Sequence, residues 1–171
     1  DVRHATTVPL PAILPATLFG SGKVEEIKAL IADHEAGLVI VDTSTSEPST
    51  TTKMRESLAA QGVKFVDAPL ARTPAEAEAG KLNTMVGADD ATFAQVKPVL
   101  GAFCENIFHA GPAGHGIVLK LINNFIGQAI CTATAEACAA AAKSGLSIRK
   151  LHEVISAGAV NSGLFQLIVG R

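Results

Sequence analysis

The sequence predicts an α/β fold in which an open, mostly parallel sheet is followed by an all-helical unit. Residues 1–112 alternate short β-branched runs with helix-like segments, whereas only helical patterns follow the glycine-rich turn at Gly111–Gly116. Sequential strand–helix–strand signals are typical of parallel sheets with helical crossovers. We therefore predict two domains, residues 1–112 and residues 113–171, joined through a long helix.

Local signals place the elements, because strands end at polar or turn residues and helices end at glycines. The predicted strands cover residues 37–42, 63–69, 82–87 and 106–110. The predicted helices cover residues 49–61, 89–100, a long span from about 116 to 145, residues 147–157 and a segment from about 162. Weaker signals indicate a strand near residues 6–10 and a helix over residues 23–34.

Composition argues against several classes of protein. The chain is 48% hydrophobic and 18% charged, with a formal net charge of −2, so neither a disordered tail nor a nucleic-acid-binding protein is expected. Three cysteines, an odd number, favour a reduced, cytoplasmic setting. The apolar stretch 117–142 is long enough to cross a membrane, but its polar residues favour a long buried helix instead. The histidines lie at no metal-ligand spacing, so we predict no metal site.

Lys120 is the most informative residue, because it interrupts the longest apolar run of the chain. On a helix it shares a face with Asn124, four residues later. A buried ammonium must be paired, solvated by a cleft or used on a ligand, and buried lysines make useful proton donors and acceptors. The alternative is a lysine that extends to solvent from an apolar helix. A cleft between the two domains would bring Lys120 near the strand ends at residues 42–45 and 67–70, where open sheets bind ligands.

Several short segments then occur in the order and spacing of one family. They are Val41–Thr45, Asp67–Pro69, Glu78–Gly80, Met85–Gly87, Val96–Leu100, and Gly114–Gly116 followed by Lys120–Asn124. The chain resembles the 3-hydroxyisobutyrate dehydrogenases and the wider β-hydroxyacid dehydrogenases, which include tartronate semialdehyde reductases. The resemblance runs from about residue 10 to 163. It implies a Rossmann-like domain that binds NAD or NADP and a small 3-hydroxyacid or semialdehyde as substrate. Apolar faces on the helical part favour a homo-oligomer, and the composition predicts neither nucleic-acid nor membrane partners.

The resemblance also implies roles for individual residues. Lys120 would be the catalytic acid/base, and Asn124 would hold the substrate and the lysine in place. Thr45 would contact the nicotinamide cofactor, although a threonine there could instead cap the next helix. A Leu-Pro pair would contact the cofactor as well. Leu10-Pro11 is preferred for this role over the competing pair at residues 14–15.

Two departures from the family pattern matter. No Gly-x-Gly-x-x-Gly loop is present, so we expect the chain to be a piece of a larger protein that lacks the first half of the nucleotide-binding domain. Many members follow Asp-Ala-Pro with Ser-Gly-Gly, whose hydroxyl and backbone amides bind the substrate carboxylate; this chain has Ala71-Arg72-Thr73. Arg72, with Thr73 beside it, would bind that carboxylate through its guanidinium. An exposed arginine bound only to water is the alternative.

The leading functional hypothesis is therefore an NAD(P)-dependent β-hydroxyacid dehydrogenase with a lysine general acid/base. A dehydrogenase-like binding or scaffold module without turnover, or an inactive fragment, is the alternative from another class. A relative that acts on phosphorylated or imine substrates, with Arg72 as the anion contact, is a third possibility.

Overall fold

The computed structural model describes residues 37–170. The predicted elements before Gly37, and the proposed cofactor residues Leu10 and Pro11, lie outside this range. The strands are β1 (Val39–Asp42), β2 (Lys64–Asp67), β3 (Leu70–Ala71), β4 (Leu82–Gly87) and β5 (Cys104–Gly111). The helices are α1 (Pro48–Ala59), α2 (Pro74–Glu78), α3 (Asp90–Leu100), α4 (His115–Lys143), α5 (Ile148–Ser156) and α6 (Gly163–Val169).

The predicted fold class is confirmed, and the sheet is mixed rather than mostly parallel. β1 pairs with β2 and β4 pairs with β5 in parallel, whereas β4 runs antiparallel to both β2 and β3. Only 14 residues, from Ala68 to Lys81, separate β2 from β4, and they contain the two-residue strand β3 and the five-residue helix α2. A helix of five residues is too short for a full crossover, so the chain reverses direction at this point.

Alternation along β1 and β2 directs apolar side chains to both faces of the sheet. On one face Val39 and Val66 are buried with Val96 and Leu100 of α3. On the other face Leu38 and Phe65 are buried with Leu58 of α1. Successive residues of a strand point to opposite faces, so the continuous apolar runs in the sequence correspond to a layer covered by a helix on each side.

Helix α4 is less buried than its composition predicts. It is long and apolar enough to cross a membrane by length and composition, and only 17% of its most apolar window is buried. Among its large apolar side chains, Ile117 is 1% exposed, whereas Phe125 is 74% exposed. We predicted a buried helix, but residues 37–170 leave most of its apolar side chains exposed.

The contacts divide the chain into two compact units, one ending at Lys120 and the other beginning at Leu121. In the second unit α5 and α6 pack through Phe165, which is buried and stacks on the ring of His152 at 5.9 Å. The same histidine bonds through Nε2 to the side-chain oxygen of Gln166 at 2.8 Å. Ser147 and Ser162 cap these two helices through their hydroxyl oxygens, as the short polar residues before each helix suggest.

The core of the first unit can be tested with two valines of the same helix. Val96 is fully buried beneath the sheet, whereas Val99 is half-buried. We expect Val96→Ala to lower the free energy of unfolding by about 2–3 kcal/mol, since it removes two buried methyl groups and leaves a cavity. Val99→Ala is the matched control and should cost clearly less in urea unfolding. Equal losses would show that the α3 packing described here is wrong.

Candidate active site

The carboxyl ends of β1 and β2 meet at one edge of the sheet. Their last residues, Asp42 and Asp67, are register partners in the parallel pair. The pairing continues past the strands, because the Ala68 amide donates to the Asp42 carbonyl at 2.8 Å and the Leu70 amide donates to the Thr43 carbonyl at 3.3 Å. The two segments predicted to bind ligands therefore lie side by side.

Asp67 attaches the start of α4 to this edge. The residue is 2% exposed, and its two carboxylate oxygens accept hydrogen bonds from the Gly114 amide at 2.6 Å and from the Ile117 amide at 2.9 Å. The first amides of a helix lack partners within the helix and lie at the positive end of its dipole. A carboxylate there is therefore stabilised both by hydrogen bonds and by the dipole. The position of Asp67 at a predicted strand end was the one signal in the sequence, and it did not indicate these amide partners.

Two glycines make room for this contact. A Cβ atom at Gly87 would lie 2.5 Å from a carboxylate oxygen of Asp67. A Cβ atom at Gly116 would overlap the Met85 carbonyl oxygen and lie 2.9 Å from the other carboxylate oxygen. Neither space admits a methyl group, so the backbone of α4 approaches the strand ends as closely as it does only because both positions are glycine.

Lys120 lies three residues after Ile117 in this helix and is 8% exposed. Burial lowers the pKa of its amine below that of an exposed lysine. Within residues 37–170 no carboxylate lies within ion-pair distance of the amine. A lysine whose pKa is lowered by burial is a candidate for proton exchange.

Thr45 follows the end of β1 and is exposed. Within the described range no hydrogen bond engages its hydroxyl group, while the neighbouring Ser44 amide donates to Asp42 at 2.9 Å. The N-cap of α1 is Glu47, with Pro48 at the first helical position. The alternative that Thr45 caps this helix is therefore wrong, and its hydroxyl group is available to a ligand.

Arg72 has the only positive φ among the described residues that are not glycine, at 89°. Its Nη1 donates to the Lys81 carbonyl at 2.7 Å and to Glu105 Oε2 at 2.5 Å, with the arginine side chain 31% exposed. Thr73 is the N-cap of α2 and forms a capping box with Glu76, whose pKa is lowered chiefly by the hydrogen bond from the Thr73 hydroxyl. The structure thus gives both residues local partners, and their contact with substrate stays a prediction.

Asn124 belongs to the second unit and is half-buried, whereas Asn123 beside it is exposed. This difference agrees with the preference for Asn124 as the functional amide, which no contact tests. Among residues 37–170 no group of three or more metal-ligating side chains is placed to hold an ion.

Comparison with known proteins identifies the family. The family model for the NAD-binding domain of 6-phosphogluconate dehydrogenase matches residues 11–111, and that for the NAD-binding region of NADP-dependent 3-hydroxyisobutyrate dehydrogenase matches residues 114–170. Both concern NAD binding, which confirms the predicted cofactor class, NAD or NADP.

Individual relatives agree with these matches. The 2-(hydroxymethyl)glutarate dehydrogenase of Eubacterium barkeri is 36% identical over 150 residues, which are 88% of this chain and 48% of that protein. The 3-hydroxyisobutyrate dehydrogenase of Pseudomonas aeruginosa is 40% identical over 117 residues, which are 68% of this chain and 39% of that protein.

A solved structure agrees as well. The structure of Mycobacterium tuberculosis 3-hydroxyisobutyrate dehydrogenase with L-serine superposes with a TM-score of 0.75 at 30% identity, over 80% of this chain and 47% of that one. The chain spans about half the length of the relatives that it matches. With one family model covering more than half of its residues and a second covering the helical part, the chain belongs to the 3-hydroxyisobutyrate dehydrogenase family of hydroxyacid dehydrogenases.

Proposed function

We propose that this chain carries the lysine-bearing part of an NAD(P)-dependent dehydrogenase that interconverts a small 3-hydroxyacid and its semialdehyde. The observation that carries the proposal is the amine of Lys120, which is buried, has a lowered pKa and forms no ion pair among residues 37–170. Its helix begins on the carboxyl end of β2, the edge at which open sheets bind ligands. The family of the chain supports the same class of reaction.

Lys120 acts as the general base in oxidation and as the general acid in reduction. In oxidation the O–H bond of the alcohol breaks, and the neutral amine takes the proton as the carbon–oxygen double bond forms. In reduction the protonated amine returns that proton to the carbonyl oxygen. Burial disfavours the charged form of this lysine and so lowers its pKa toward the range in which general acid–base catalysis is efficient.

Among the described residues, Thr45 has a side chain suited to contact the cofactor. The exposed Thr45 hydroxyl group at the end of β1 would contact the nicotinamide end of the dinucleotide. A bound nicotinamide would supply the acceptor or donor of the hydride. Thr45 would hold that cofactor at the end of β1, while Lys120 would exchange the proton on the substrate oxygen.

The carboxylate of the substrate is assigned to Arg72, with Thr73 beside it. Asn124 of α4 is a separate proposed substrate contact. Only Nη1 of the guanidinium has hydrogen-bond partners within the described residues, so its other nitrogens are available for a bidentate contact. The backbone supports this assignment, because Arg72 holds a left-handed conformation at a position where many family members have glycine. An arginine at such a position is strained, which favours a functional reason for its presence.

Substitution of Lys120 tests the acid–base role directly. In the full-length protein, with NAD or NADP and a panel of 3-hydroxyacids, we expect Lys120→Ala to reduce kcat by about 10²–10⁴-fold, because the proton loses its acceptor. Lys120→Arg should fail similarly, since a guanidinium does not release its proton in this range. Lys143→Ala, an exposed lysine of the same helix, is the matched control. Turnover by Lys120→Ala comparable to the parent protein would remove the mechanism.

The two directions of the reaction should depend on pH in opposite ways. Oxidation needs the neutral amine, so its rate should rise as pH rises through the pKa of Lys120. Reduction needs the protonated amine, so its rate should fall through the same pKa. Because burial lowers this pKa, both transitions should lie below the pKa of an exposed lysine. Pre-steady-state rates measured in both directions check this, and a shared transition that persists in Lys120→Ala would assign it to another group.

The substitution Arg72→Gly tests the guanidinium group without changing the backbone conformation at this position. Glycine adopts the positive φ of this position without strain, so the loop should keep its shape while the charge is lost. We expect KM for carboxylate substrates to rise about tenfold or more, since a charge-assisted hydrogen bond contributes about 1.5–3 kcal/mol. Glu105→Gln is the control, because it breaks the ion pair and keeps the guanidinium. An unchanged KM in Arg72→Gly would show that Arg72 does not bind the substrate carboxylate.

A further inference from the structure

We propose that Asp67 is the positioning residue of this site, whose carboxylate fixes the first turn of α4 against the end of β2 and so sets where Lys120 lies. The inference rests on the proposed catalytic role of Lys120. It assigns to Asp67 a task distinct from contact with substrate or cofactor, because both of its oxygens are engaged by backbone amides.

The carboxylate joins segments that are distant in sequence. Its amide partners, Gly114 and Ile117, lie 47 and 50 residues further along the chain. The two bonds lie at either end of the first turn of the helix. Two attachment points restrain both the translation of this turn and its rotation, whereas one bond would leave the turn able to rotate about it. Burial of Asp67 adds to the restraint, since a buried carboxylate that lost these donors would be left without compensation.

A second bond holds the same loop from another element. Arg55 of α1 donates from Nη1 to the Ala113 carbonyl at 2.9 Å, directly before the segment that Asp67 binds. Helix α1 follows the loop that carries Thr45. The residues proposed to contact the cofactor and to exchange the proton are therefore tied to one another through two hydrogen-bonded attachments of the α4 start.

If this first turn moved, Lys120 would move by nearly the same distance, because both lie on one continuous helix. The lysine lies about 4.5 Å along the helix axis from Ile117, at 1.5 Å per residue, and the intervening backbone is helical. The close approach at Gly87 and Gly116 leaves no space for a Cβ atom between the strand ends and the helix. Each carboxylate oxygen accepts from a backbone N–H group, and no ion pair joins Asp67 to Lys120 among residues 37–170.

The test compares two identical substitutions at two helix N-termini of the same unit. Asp67→Asn leaves one acceptor oxygen and turns an NH₂ group toward an amide donor, so one bond is lost and a repulsion is added. Asp89→Asn is the control, since Asp89 caps α3 by accepting from the Thr92 amide at 2.8 Å and makes no hydrogen bond to the start of α4 within the described residues. In the full-length protein we expect Asp67→Asn to lower kcat by about 10–100-fold with little change in KM. Asp89→Asn should leave kcat unchanged.

A readout independent of turnover accompanies the kinetics. The acetylation rate of the Lys120 amine by acetic anhydride is followed against pH by mass spectrometry, which gives the transition of this single lysine. Asp67→Asn should move that transition upward, because a displaced helix exposes the amine and relieves its desolvation. Asp89→Asn should not move it. Arg55→Met, which removes the second attachment, should produce the same two changes to a smaller degree and serves if Asp67→Asn does not fold.

The outcomes separate this inference from the proposed function. An upward shift with a fall in kcat, absent from the Asp89 control, supports the positioning role. An unchanged Lys120 transition in both Asp67→Asn and Arg55→Met overturns it, as does a shift of equal size in Asp89→Asn. If the transition shifts while Lys120→Ala retains full turnover, the acid–base proposal fails and the attachment of α4 by Asp67 stands.

Discussion

A buried carboxylate bound to two backbone amides fixes the start of the helix that carries the proposed acid–base lysine. Asp67 ends β2, and its partners begin α4, so one side chain connects the sheet to the helix that carries Lys120. Charge-assisted hydrogen bonds of this kind contribute about 1.5–3 kcal/mol each, and the opposite sign of the helix terminus adds to them. The close approach depends in turn on glycine at 87 and 116, so the geometry is encoded at three separate places in the sequence.

The environment of Lys120 shows why attachment through the backbone matters. A carboxylate paired directly with the amine would hold it in the charged form and raise its pKa. Asp67 instead accepts hydrogen bonds from N–H groups, and burial lowers the pKa of Lys120. The helix is therefore fixed by a negative charge that forms no ion pair with this lysine among residues 37–170.

The sequence predicted most of the fold, and the misses have identifiable causes. The β-branched runs and the glycines after helices located the longer elements, since both signals are local. The antiparallel strand β3 was missed because two residues carry no periodic pattern. The role of Asp67 was missed because its partners lie 47 and 50 residues away, and only folding brings them together. Lys120 could be found because an isolated charge in an apolar run is visible without any knowledge of contacts.

Arg72 shows how a local departure from a family pattern gains meaning from backbone geometry. Its φ of 89° is a conformation that costs a non-glycine residue on the order of 1–2 kcal/mol, and glycine would occupy it freely. The bonds to the Lys81 carbonyl and Glu105 offset part of that cost, but both lie at a partly exposed surface where such pairs contribute little. Stability alone therefore does not account for arginine here. The proposed contact with an anionic substrate would supply the reason for a fixed positive charge at this position.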